Sequence, residues 1–256
     1  MDDTRSKPHV LVTGAAGLVG GIVCNVLSDD YVVHGLDVAR GDHVEWRRDM
    51  TKLRRIERAF DGMTTVVDLA ANPNPSASWS EVRKNNLPAT LNTLEAARRR
   101  GVERVVFASS NHVVGMYEQD QPYASVVAGS YDGLDPATFP RLGIDAPIRP
   151  DGPYGVGKAF GEAAGRYYAE AHGISVVCLR IGSVRSEDRP ATPREFATLL
   201  THRDLGDLVR RCLRAPLSVV FDIFYGVSAN TWRLWDIEHA RRTIGYAPQD
   251  DAETYR

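Results

Sequence analysis

The amino-acid sequence predicts a doubly wound α/β fold, a parallel sheet covered by helices on both faces. Three observations carry this expectation. Short apolar runs alternate with helical stretches along most of the chain. The runs are nearly continuous in valine, leucine and isoleucine, as strands buried on both faces are. The first run ends in a glycine-rich turn that opens a helix.

Taken in order, HVLVT at 9–13 is the first strand and GLVGGIVCNVLS at 17–28 the helix that follows it. VVHGLD at 32–37 is the second strand, and Thr51 is placed to cap a helix over 52–60. TVVDLA at 65–70 is the third strand. A helical pattern then runs from 79 to 100, with Pro88 as a kink or break. RVVFAS at 104–109 is the fourth strand, 154–172 a helix, and ISVVCLRI at 174–181 the fifth strand.

Two segments depart from this rhythm. Residues 117–153 hold six prolines and no clear periodicity, which reads either as a lid or binding loop or as a tolerated surface insertion. Residues 182–256 return to mixed structure, with a helix at 203–214, a strand at 219–227 and a helix at 235–244. The sequence thus divides into a nucleotide-binding domain over 1–181 and a small dependent substrate cap over 182–256.

Composition narrows the function classes. The chain has 256 residues, 25% of them charged, and a net charge of −2, which gives no electrostatic case for nucleic acid or an anionic membrane. No run of about 18 apolar residues spans a bilayer, and the start MDDTRSKPH has no apolar leader core. Cys24, Cys178 and Cys212 are odd in number and far apart. They form neither a disulfide framework nor a zinc spacing, so no metal is expected and a reducing cytoplasm fits best.

TGAAGLVG at 13–20 carries the first chemistry. Gly14 permits a tight turn, Gly17 lets backbone approach a pyrophosphate, and Gly20 lets helix pack closely on strand. The helix N-terminus offers free N–H groups and positive dipole to phosphates. Asp37 ends the second strand, 17 residues after Gly20. Its carboxylate suits a ribose diol and repels a 2′-phosphate, which favours NAD over NADP. Arg40 is the nearby group that would instead pair with such a phosphate. Asp49 reads equally as a partner for the adenine amino group and as an N-terminal helix charge.

DGPYGVGKAF at 151–160 carries the second. Tyr154 and Lys158 share a helix face one turn apart, just after Pro153 at a helix start. An ammonium beside a phenol favours the phenolate, which then accepts an alcohol proton. FASSNHVVG at 107–115 places Ser110 at the carboxyl end of the fourth strand, the edge at which open α/β sheets bind ligands.

With TGxxGxxG, a strand-end serine and YxxxK in this order, the chain resembles the extended short-chain dehydrogenases/reductases, the NAD-dependent epimerase/dehydratase family. The likeness covers nearly the whole chain and includes Asn86 in NNLPATLNTLEAA and Arg180 in CLRIGSV. Ala89 stands where that family usually has glycine. Within the family, FASSNHVVG, RPDGPYGVGKAFGE, THRDL and YGVSAN look like the sugar C1 dehydrogenases, which include uronate dehydrogenases and NAD-dependent glucose-6-phosphate dehydrogenases of haloarchaeal type. The long 117–153 loop and the closing GYAPQDDAE lie nearer the glucose-6-phosphate group.

The resemblance implies a Rossmann-like sheet and oxidation of an anionic sugar at its anomeric hydroxyl. In this picture Tyr154 is the base and Lys158 supports it. Ser110 orients the hydroxyl, and Asn86 positions a water that relays the proton. The cofactor is NAD, held also by Ala16, Leu18 and Val19 in the turn and by Met50 beside Asp49. Leu69, Ala70 and Ala71, then Asn86, Tyr154, Lys158 and Ile181, complete its site. Asn111 and His112 line the sugar pocket, and Arg194 meets the substrate's anion, carboxylate or phosphate, with two oxygens at once. His202 and Asp204 are expected to hold the C-terminal cap. A homodimer is expected from the family's habit of pairing the Tyr154 helix and the long helix before the fourth strand. Rival readings are a nucleotide-sugar epimerase or dehydratase, against which only about 75 residues follow Ile181, and a non-catalytic NAD sensor.

Overall fold

The structure is a computed structural model and describes residues 7–256; the polar start MDDTRS lies outside the described residues. Six apolar runs become β1 (His9–Thr13), β2 (Val32–Asp37), β4 (Thr65–Asp68), β5 (Arg104–Ser110), β6 (Ser175–Ile181) and β7 (Phe221–Gly226). A two-residue strand, β3 (Trp46–Arg47), is added at one edge. All seven lie parallel in the order β3-β2-β1-β4-β5-β6-β7. The order reverses between β1 and β4, and the crevice that ligands use opens above that reversal.

Alternate residues of each strand serve opposite faces. Val10, Val12, Val67, Val177 and Phe224 point to one side, where α1 (Leu18–Leu27), α8 (His202–Arg214) and α9 (Glu238–Ile244) cover them. Leu11, Val66, Val105, Phe107 and Val176 point to the other, beneath α2 (Leu53–Ile56), α4 (Leu87–Arg100) and α6 (Pro153–His172). Small residues of α6 serve this packing: a Cβ on Gly161 would lie 2.3 Å from the Phe107 ring, and one on Gly165 2.8 Å from Val176.

Local signals set most helix ends. Pro153 starts α6, and Gly173, with a left-handed φ of 71°, ends it. Thr201 caps α8 by accepting a bond from the Asp204 amide at 3.3 Å. Two expectations are corrected. Thr51 is not a cap: its hydroxyl donates to Asp49 at 2.8 Å, α2 begins after Lys52, and a 3₁₀ turn over Glu57–Phe60 completes that stretch. The 79–100 helix does not break at Pro88: α3 (Trp79–Glu81) passes without interruption through a π-turn at Val82–Asn86 into α4. Pro88, which has no N–H to donate, sits directly after this π-turn, where the helical bonding is already irregular.

The last 75 residues, read as a cap, contribute β7 to the main sheet and α8 to its cover. The remainder packs with the 117–153 segment. That segment continues a 3₁₀ stretch (Asn111–Gln119) into α5 (Tyr123–Val127). It shares a third apolar cluster with the C-terminal region: Tyr131 stacks on Trp232 at 4.5 Å, and Leu142 bridges to Trp235. The one-turn α7 (Glu195–Thr198) lies against it. A loose insertion would not bury Val126, Phe139 and Leu142. His202 Nε2 donates to the Arg185 carbonyl at 2.7 Å, and Asp204 accepts from the Gln249 and Asp250 amides at 2.9 and 3.1 Å. His202 thus holds the stretch after β6 against α8, and Asp204 ties down the C-terminal segment. Among the described residues, no helix is long and apolar enough to cross a membrane, and Cys24, Cys178 and Cys212 are buried free thiols.

Candidate active site

A single cavity of about 1000 Å³ runs along the carboxyl edge of the sheet, from the glycine turn to Arg194. Its first half is backbone. Gly14 turns the chain with φ +71°, and a Cβ there would strike Leu69 at 2.9 Å. A Cβ on Gly20 would come within 2.1 Å of the Gly14 carbonyl. Side chains at these positions would push the turn off the end of β4 and off the start of α1, so the glycines keep the turn tight enough to present the N-terminus of α1 to a pyrophosphate. Asp37 ends β2 beside this turn and is held there by the Ala16 and Ala39 amides at 3.0 and 2.8 Å. Asp49 accepts from the Thr51 amide and hydroxyl. Burial pushes that carboxyl up, and the Thr51 bonds with Lys52 and Arg55 more than reverse it, leaving it below its ordinary value. The turn, the acid at the β2 end and the apolar wall of Leu18, Val19, Met50 and Leu69 fit a dinucleotide.

The second half carries the chemistry. Ser110 closes β5 and caps the 3₁₀ stretch, accepting from the His112 amide at 3.2 Å. Tyr154 and Lys158 rise one turn apart on α6 and are both nearly buried. Lys158 donates to the Ala108 carbonyl at 2.6 Å and lies 5.7 Å from the Tyr154 ring centre. His112 stands edge-on to Tyr154, 5.7 Å between ring centres, with Nδ1 2.7 Å from Asp151. Two glycines make room for that pair. A Cβ on Gly115 would strike Asp151, and one on Gly155 would strike the His112 carbonyl at 2.3 Å.

Almost every residue expected at the site lines this cavity. Gly14, Gly17, Leu18, Val19, Asp37 and Asp49 do so, followed by Met50, Leu69, Ala70 and Ala71. Ser110, Asn111, His112, Tyr154, Lys158, Ile181 and Arg194 complete the set. Two lie outside the wall. Ala16 spends its amide on Asp37. Asn86 is 4% exposed and spends its side chain on the backbone of Asn72, accepting at 2.9 Å and donating at 3.1 Å, so Asn85 faces the cavity in its place.

Other residues enter through the fold. Ser183 and Arg185 follow β6 at the same edge, and Glu195 stands beside Arg194. Glu118 grips Arg194 from the 3₁₀ stretch, with Nε and Nη2 donating to its two oxygens at 2.5 and 2.6 Å. Burial works against the Arg194 charge, and Glu118 more than restores it. Beneath the site, Asp68 ends β4 and accepts from Thr13 and Thr93 at 2.7 and 3.1 Å. Burial raises this carboxyl to about 6, against the pull of the Thr13 hydroxyl and the Lys158 charge. A carboxylate inside the apolar run TVVDLA is the sequence signal for it. For Glu118 there is none.

The family model described as the NAD dependent epimerase/dehydratase family matches residues 10–213. The NAD-dependent glucose-6-phosphate dehydrogenase of Haloferax volcanii is 36% identical, with 96% of this chain and 95% of that protein covered. The L-arabinose 1-dehydrogenase (NAD(P)(+)) of the same organism is 35% identical over 96% of this chain and 98% of its own length. The crystal structure of uronate dehydrogenase from Agrobacterium tumefaciens superposes with a TM-score of 0.81 at 30% identity, covering 98% of this chain and 87% of that one.

Proposed function

The chain belongs to the NAD-dependent epimerase/dehydratase family, and from that premise we propose that it is a sugar dehydrogenase acting at C1 by a Ser-Tyr-Lys mechanism. NAD is the cofactor, and bound in the crevice it supplies the hydride acceptor. The substrate carries an anion remote from C1, glucose 6-phosphate in the first instance and a hexuronate in the second, and the product is the lactone. The observation that carries this reading is the convergence of Ser110, Tyr154 and Lys158 on the cavity that also holds the glycine turn and Asp37.

In this mechanism Ser110 holds the anomeric hydroxyl, and Tyr154 takes its proton. Lys158, anchored to the Ala108 carbonyl, supplies the positive charge against which the phenolate forms. Arg194 binds the remote anion. Asn86 acts one step back, through the Asn72 backbone. Asp37 favours NAD because a 2′-phosphate would meet its carboxylate. Residues 182–256 serve as the substrate-side cap and depend on the sheet for their own folding. We further propose a homodimer through α4 and α6, supported by exposed Leu91, Val156 and Tyr167 on those helices. Light scattering on Tyr167→Glu, expected to run as a monomer, checks it.

The test is NADH formation against glucose 6-phosphate, glucuronate, galacturonate and free glucose, each with NAD and with NADP. Turnover of at least one anionic sugar with NAD supports the reading. Silence on all four, with NAD still bound, overturns it in favour of a nucleotide-sugar enzyme of the same family.

A further inference from the structure

We propose that Glu118 is a specificity-determining residue: its carboxylate holds Arg194 as an internal anion, and a charged sugar gains that guanidinium only in competition with it. The inference deepens the anionic-sugar reading and rests on it.

Glu118 binds Arg194 in the two-pronged geometry that a sugar carboxylate or phosphate would itself use. The contact is not a loose surface bridge, since the two side chains are only 30% and 16% exposed. A third donor of Arg194, Nη1, points to Ser183 Oγ at 3.3 Å, and that hydroxyl is shared with Thr198 at 2.8 Å. Before any sugar enters, the charge of Arg194 is therefore matched. The second cation at this end, Arg185, is matched less tightly, at 3.7 Å from Glu187 and 3.8 Å from Glu195.

The loop side of the clasp is braced by its neighbours. Glu118 lies on the same 3₁₀ stretch that Ser110 caps. Arg149 clamps its neighbours, stacking 4.5 Å over the Tyr117 ring and pairing with Asp120. An anion that reaches Arg194 thus arrives beside a carboxylate whose backbone is braced on both sides. Repulsion scales with the charge brought in, so a phosphate dianion meets about twice that felt by a carboxylate, and a neutral sugar meets none. Glu118 so sets how strongly the pocket prefers charge, and it acts on binding rather than on the chemical step.

Glu118→Gln keeps the shape and one acceptor and removes the charge. Inorganic phosphate is titrated calorimetrically into the NAD-loaded protein. The variant is expected to bind it about tenfold more tightly than wild type, and Arg194→Ala is expected to abolish binding in both backgrounds. In turnover, the KM for glucose 6-phosphate falls by about tenfold, that for glucuronate falls less, and that for glucose stays within about twofold, with kcat unchanged. Glu118→Ala, a second variant with the charge removed, moves in the same direction. Phosphate binding that is equal or weaker in both variants overturns the proposal and makes Glu118 a mere orienter of Arg194. So does an equal KM change for charged and neutral sugars. If no sugar is oxidised by any of the proteins, the dehydrogenase reading fails while the phosphate titration still decides the role of Glu118.

Discussion

Glu162 and Arg180 meet inside the protein as a two-pronged ion pair. Arg180 Nε and Nη2 each donate to a Glu162 oxygen at 2.9 Å, and Ser109 adds a bond at 2.6 Å. Glu162 follows Lys158 by one helical turn, and Ser109 precedes Ser110. The pair thus fixes the helix that bears the tyrosine and lysine against the strand that bears the serine. Removing one partner strands a buried charge, so Glu162→Ala is expected to cost about 3–5 kcal/mol in urea denaturation. The double change Glu162→Leu with Arg180→Met removes both charges and is expected to recover much of that loss. A double variant no more stable than Glu162→Ala would show that the pairing is not the source of the cost.

Tyr154 is 8% exposed, and among the described residues its hydroxyl has no protein hydrogen-bond partner. Tyr154→Phe therefore breaks nothing structural and isolates the proton transfer. Turnover is expected to fall by about 10²–10⁴-fold, with NAD affinity within about twofold of wild type and an unchanged melting temperature. Wild-type turnover in the Phe variant would remove Tyr154 from the role of base.

The parts of this picture that were legible in the sequence are those fixed by local spacing. The glycines of 13–20, Asp37, Ser110, Tyr154 and Lys158 each sit at a strand end or in the first two turns of a helix, where position along the chain dictates position in space. Unbroken apolar runs likewise marked the six longer strands. Trp46–Arg47 escaped notice because two residues carry no periodicity. Asn86 is legible in its segment, but the bonds of its side chain are not, because a π-turn between Val82 and Asn86 sends its amide to the Asn72 backbone. Glu118 lies 76 residues before its partner Arg194, a distance over which no local pattern operates. The same holds for the aromatic cluster that joins the 117–153 loop to Trp232 and Trp235.

Asp68 gives the fold a pH dependence with a definite sign. Its carboxyl stands at about 6 in the folded protein against an ordinary 3.8. Between those values the folded state keeps a proton that the unfolded chain has lost. This group's contribution to stability is therefore greatest near pH 4 and declines as pH rises through 6. Asp68→Asn retains an acceptor for Thr13 and Thr93 and removes the titration. Stability measured from pH 4 to pH 8, expressed as variant minus wild type, is expected to rise by up to about 3 kcal/mol across that window. Other carboxylates, such as Glu95, which Arg98 and Arg99 hold down at about 2 even as burial works against them, cancel in the difference. A flat difference curve would mean that Asp68 is ionised throughout.

Arg104 is a buried arginine, 2% exposed, whose partners are carbonyls rather than a carboxylate. It donates to Cys212, Leu213, Ala215 and Pro216 at 3.2, 3.1, 2.5 and 2.9 Å and to Ser175 at 2.9 Å. These carbonyls close α8, where the helix dipole presents its negative end and the last oxygens lack helical partners. Burial pulls the Arg104 pKa down, but the cluster of acceptors still suits a cation there. Arg104→Met keeps the length and apolar stem and strands the carbonyls away from water, so it is expected to cost about 3–5 kcal/mol in urea denaturation. Arg104→Lys keeps the charge, but a single ammonium reaches fewer of the spread acceptors, and it is expected to fall between the two. Amide exchange in the last turn of α8 should quicken in the same order, Met before Lys, because apart from the Ala215 amide, 3.4 Å from the Cys212 carbonyl, that turn is closed by Arg104. A Met variant within about 1 kcal/mol of wild type would place the hold on α8 in its apolar face alone, where Leu205, Leu208 and Val209 meet the sheet.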